Sequence, residues 1–88
     1  MINRVKSARL RREAKEAMNS KTGCVHAIYG LCYSTELGNI VEELADDINE
    51  VKYFYDDRSF NNCIDALHNR YTACGCTGLS IYSIHRIE

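Results

Sequence analysis

Between Ser34 and Tyr55 the apolar residues Leu37, Val41, Leu44, Ile48, Val51 and Tyr55 recur at spacings of four, three, four, three and four. At about 100° per residue, such a spacing lines one narrow face of a helix. Ile40 and Ala45 widen that face, while Glu36, Glu42, Glu43, Asp46, Asp47 and Glu50 fall opposite it. The pattern predicts a central acidic amphipathic helix over 34–55, capped by Ser34 or Thr35. Gly38 costs such a helix about 1 kcal/mol relative to alanine. The VKYFY end has enough β propensity for a short strand as the alternative.

The flanking segments are organised around that helix. Residues 3–19 lack Gly and Pro and are rich in Ala, Arg, Lys, Glu and Leu, which predicts a helix. Its apolar side is thin (Leu10, Ala14, Ala17 and Met18), and a basic stripe of Arg4, Arg11, Arg12 and Lys15 lies beside it. Residues 24–33 read as a strand, with Val25, Ala27, Tyr29, Leu31 and Tyr33 as the better core face. Gly30 marks a bulge or a close backbone approach. A further helix is expected over about 60–73, with Ser59 as N-cap, a stripe of Phe60, Cys63, Ile64, Leu67 and Tyr71, and Gly75 just past its end. After Gly78, LSIYSIHRI reads as a second strand.

The expected fold is therefore α+β, one domain over 1–88, in the order α-β-α-α-β. Residues 1–20 form a basic N-terminal helix that can serve as an arm, and 22–88 form the core. Two strands alone make a poor sheet in water. The two-stranded antiparallel sheet must be packed on helices, or extended across a homodimer into four strands. The heptad spacing of the central helix also suits pairing, so a homodimer is expected.

Charge and cysteine usage bound the function. Residues 1–21 carry seven Lys/Arg against two Glu, and residues 22–88 carry four against ten Asp/Glu. That asymmetry fits a nucleic-acid arm, or mutual attraction of the two parts. No apolar run approaches the ~20 residues of a membrane span. No apolar segment follows the N-terminal charges as in a secretion signal, so the expected setting is cytoplasmic, without membrane contact. Five cysteines, an odd number, then point to free thiols or metal ligands instead of a disulfide framework.

Cys24-Val25-His26 and Cys74-Gly75-Cys76 supply soft ligands that could surround a tetrahedral zinc if the end of the last helix met the start of the first strand. Against this, buried free cysteine is common, and the primary expectation is no metal and no cofactor. Cys63 and His68 lie five apart on one helix, at poor angles for contact, and nothing supplies a nucleophile, base and oxyanion site together. The five glycines are scattered, with no phosphate-cradling loop. Catalysis is therefore not expected.

Two readings of function follow. The first is a small non-enzymatic regulator or inhibitor, of the kind carried by phages and mobile elements, that binds a protein partner. Its contact surface would be the acidic helix, through Glu42, Glu43, Asp46, Asp47 and Glu50, with Tyr53 and other exposed tyrosines as anchors. The second is a nucleic-acid-binding regulator that uses Arg4, Arg11, Arg12 and Lys15, with or without zinc at Cys24, His26, Cys74 and Cys76.

Overall fold

The computed structural model describes residues 4–44 and 51–86. Among them the chain runs through α1 (Arg4–Asn19), β1 (His26–Ser34), β2 (Ile40–Leu44), β3 (Lys52–Phe54), α2 (Asp57–Ala73) and β4 (Thr77–His85). The fold is a small α+β domain whose described part holds two helices and one four-stranded antiparallel sheet. The expected order and the two-stranded sheet are both corrected. Strand β1 is central: β4 runs along one side of it, while β2 and β3 share the other. There β2 pairs with Gly30–Ser34 and β3 with His26–Ile28, so the two act as one interrupted strand.

The central helix expected over 34–55 is not formed in its described residues, 34–44 and 51–55. Its first residues instead make a hairpin loop, in which Thr35 N–H donates to the Asn39 carbonyl at 2.8 Å and Gly38 N–H to the Thr35 carbonyl at 2.9 Å. Gly38 sits at φ 82°, a left-handed conformation that glycine adopts freely and that no α-helix contains. After the turn, Ile40 and Val41 are β-branched and pair with Ser34 and Tyr33. The helical spacing of 37, 41 and 44 is overridden by a tertiary partner, the open edge of β1. Asp46, Asp47 and Glu50 lie outside the described residues.

Strand β1 carries the bulge expected near Gly30. Its register with β4 shifts between Ile28 and Gly30, leaving Tyr29 as the extra residue. The bulge turns the strand over. Ala27 and Tyr29 join Leu10, Ala14, Met18, Cys24 and Ile84 in one buried cluster under α1. Beyond the bulge, Tyr33 packs its ring 4.7 Å from that of Tyr71 on α2. The expected core face of β1 is thus split between two layers, with α1 on one side of the sheet and α2 on the other.

Helix α1 is a core element. Leu10, Ala14 and Met18 are buried, and the Arg86 guanidinium donates to the Met18 carbonyl, tying the helix end to the chain after β4. Helix α2 begins earlier than expected because Asp56, not Ser59, is its N-cap. The Asp56 carboxylate accepts from Ser59 N–H at 2.7 Å, which holds that carboxyl below its usual range. The expected stripe of α2 does face the sheet, yet no residue of this helix is fully buried.

At the other end of α2, Gly75 N–H donates to the Thr72 carbonyl and Cys76 N–H to the Tyr71 carbonyl, the paired bonds of a Schellman motif. Gly75 has φ 80°, and a Cβ there would also meet the Glu36 carboxylate. The carboxylate end is flexible and can move, so the backbone strain decides. Gly75→Ala is expected to lower unfolding stability by about 1–2 kcal/mol in a denaturant titration. An unchanged midpoint would refute that assignment.

Candidate functional site

Burial of Leu10, Ala14 and Met18 against the sheet turns the rest of α1 outward. Arg11, Arg12 and Lys15 are all exposed, as the basic stripe requires. Arg4 opens the helix, and its side chain lies outside the described residues. Arg9 pairs with Glu13 at 3.2 Å on the same helix, an exposed i,i+4 pair of little energetic weight. Arg11 also acts at a distance on the sheet. Its guanidinium partly offsets the burial that raises the Tyr29 phenol above its ordinary range.

Of the acidic set expected to bind a protein, Glu42 and Glu43 lie on β2 and are separated by it. Successive residues of β2 point to opposite faces of the sheet, so Glu42 and Glu43 cannot share a surface. Tyr82 O–H donates to Glu42 Oε2 at 2.9 Å, and Tyr71 O–H to Glu43 Oε2 at 2.6 Å. Burial first, and then these carboxylate bonds among other contacts, push both phenols well above their usual range. Tyr53, expected as an exposed anchor, packs against the α1 core cluster with the Lys21 ammonium 4.7 Å from its ring centre.

The four soft ligands are not brought together. Strands β1 and β4 are antiparallel, with His26 opposite His85 and Ser34 opposite Thr77. Cys24 and His26 therefore sit at one end of the sheet, and Cys74 and Cys76 at the other. At about 3.4 Å per residue, the length of β1 separates them by well over 20 Å. Among the described residues no group of three or more His, Cys, Asp or Glu side chains could hold a metal ion.

One constellation has no counterpart in the sequence reading. His26 Nε2 lies 2.6 Å from Asp57 Oδ1, its Nδ1 lies 2.7 Å from His85 Nδ1, and His85 Nε2 lies 3.2 Å from Ser83 Oγ. A carboxylate can only accept, so His26 Nε2 carries a hydrogen. In the neutral ring His26 Nδ1 then accepts from His85 Nδ1–H, and His85 Nε2 accepts from the Ser83 hydroxyl. Phe60 stacks on His26 with ring centres 4.3 Å apart, covering the chain of bonds from the α2 side.

This series ties the first turn of α2 to the start of β1 and the end of β4. It also gives a serine a hydrogen-bonded base, one ingredient of nucleophilic catalysis. The geometry stops there. The open groove beside His26 is lined by Val25, Tyr55, Asp56, Asp57 and Arg86, and Ser83 is not among its walls. Ser83 and His85 are neighbours on one strand face, while His26 and Asp57 reach them only through the sheet register and the seating of α2. No local pattern could have flagged residues so far apart in sequence.

No family model, no curated protein and no solved structure matches the chain. Among the described residues, no helix is long and apolar enough to cross a membrane.

Proposed function

We propose that this protein acts by binding another macromolecule, without catalysis, and that its contact surface is the outward face of α1 laid along a nucleic acid. The observation that carries this reading is the way α1 is seated. Its three buried residues hold it on the sheet, and Arg11, Arg12 and Lys15 stand out from the domain on a rigid support. Phosphate contact requires cations on one helix face, and it does not require a sequence-reading element in a groove. Of the acidic residues invoked for a protein partner, Glu42 and Glu43 lie on opposite faces of β2, and Asp46, Asp47 and Glu50 lie outside the described residues.

Three phosphate contacts predict a slope of about −2.7 for log affinity against log salt, or roughly 40-fold between about 50 and 200 mM. Fluorescence anisotropy with labelled duplex DNA and with RNA, across that range, measures the slope. In the triple variant Arg11→Ala, Arg12→Ala, Lys15→Ala, both the binding and its salt dependence are expected to vanish while the melting temperature holds. A wild-type protein that binds neither nucleic acid, or a triple variant that binds equally well, would overturn the reading.

A protein partner is the second reading. It is favoured by the loop and first residue of the β1–β2 hairpin, where Leu37 is 88% and Ile40 54% exposed. Paired apolar side chains at a hairpin are a small but usable anchor.

A further inference from the structure

We propose that β4 is a self-association edge, on which a second copy of this chain adds its own β4 antiparallel to make one continuous sheet. Among the described residues, β4 pairs with β1 alone, and no strand covers its outer side. The direction of its main-chain groups can be read from one bond. Arg86 N–H donates to the Val25 carbonyl at 2.8 Å, and the register continues through His26↔His85 and Ala27↔Ile84. Alternate residues of an antiparallel strand turn their main-chain groups to opposite neighbours. Ile84 and Tyr82 therefore face β1, while His85, Ser83, Ile81 and Leu79 turn their N–H and C=O groups outward.

An exposed edge of this length is normally blunted by Lys, Pro, inward-pointing charge or a covering element. From Thr77 to Ile84 this strand has no charged residue and no proline. The bulge that it does carry is at its beginning, where Gly78 has φ 61° and the register with β1 shifts. The stretch from Leu79 to His85 is left regular.

A second copy fits this edge on three grounds. A two-fold antiparallel pairing over Leu79–His85 brings no like charges face to face, and it forms roughly eight main-chain hydrogen bonds. A net charge of −1 leaves little long-range repulsion between copies. The two-fold axis of such a pairing stands normal to the sheet, so both α2 helices lie on the same side of it. That matters because α2 packs over β4 and yet has no fully buried residue. A second α2 alongside would cover part of what the monomer leaves half-exposed.

The mass of the full chain in solution, measured by light scattering over a range of concentration, tests this. A dimer is expected for the wild type. Ser80→Lys adds a charge at an exposed side chain of the edge, and Ile81→Pro removes an outward N–H without touching the bonds to β1. Both variants are expected to be monomers, and an unchanged far-ultraviolet dichroism spectrum for Ser80→Lys separates loss of pairing from loss of fold. A concentration-independent monomer for the wild type would overturn the proposal, whether or not another protein's strand uses the edge. So would a dimer that survives both substitutions.

Discussion

A chain lacking residues 1–19 is expected to be unfolded, with no cooperative thermal transition and a dichroism spectrum without the sheet signal. The truncation removes Leu10, Ala14 and Met18, and with them one whole wall over Cys24, Ala27, Tyr29 and Ile84. It also removes the carbonyl that receives Arg86. A domain of this size buries a modest core and has little stability in reserve. The graded version is Leu10→Ala. Leu10 is 5% exposed, and truncating it leaves a cavity under the sheet at a cost of about 3 kcal/mol. For a domain of this length that is a fall of about 12–24 °C in melting temperature. A truncated chain that melts cooperatively would return α1 to the role of a free arm. The same consideration makes charge substitution, not deletion, the sound test of nucleic-acid binding.

Acidification is expected to loosen the seat of α2. The two Nδ1 atoms of His26 and His85 have room for one hydrogen between them at 2.7 Å. A doubly charged pair must break that contact. Burial, and then the neighbouring His26, hold His85 below the ordinary histidine value. A group whose folded-state pKa is lowered binds its proton more readily in the unfolded chain, so stability rises with pH over that window. The contribution is fully present above about pH 6.5, the unfolded value, and is lost as pH falls through the lowered folded one. The other charged groups around the pair are Asp57 and Asp56 at the start of α2, Arg86 after β4 and Lys15 on α1. Melting temperature measured from pH 7.5 down to pH 5 should therefore fall, and His85→Gln should flatten that fall. An equal slope in the variant would mean that the pair is not the acid-sensitive element.

The elements that form from their own residues were legible before any tertiary information. The Ala- and Arg-rich run of α1 has no competing conformation, and its buried side comprises Leu10, Ala14 and Met18 of the apolar residues singled out. The stripe of α2 faces the sheet as read, and Gly75 closes the helix in the left-handed conformation that its position called for. Gly30 marked the bulge, although not its consequence, which is that Tyr29 and Leu31 leave the same face. The three-residue error at the start of α2 came from Asp56 outcompeting Ser59 as cap, because its carboxylate takes both the N–H and the hydroxyl of Ser59.

Residues 37–44 went the other way for a physical reason. Their apolar spacing satisfies a helix, and only the β-branched Ile40 and Val41 favour a strand. The decision rests with the main-chain groups of β1 from Gly30 to Ser34, which need partners, and with a left-handed Gly38 that lets the chain turn back to supply them. The relay of Asp57, His26, His85 and Ser83 is likewise a product of pairing register and helix seating. Local composition by itself determined the two helices, the long strands and the basic character of the α1 surface. Tertiary structure alone decided which strands share an edge, where the carboxylates of β2 point and which histidines meet, because hydrogen-bond partners distant in sequence exist only once the sheet has closed.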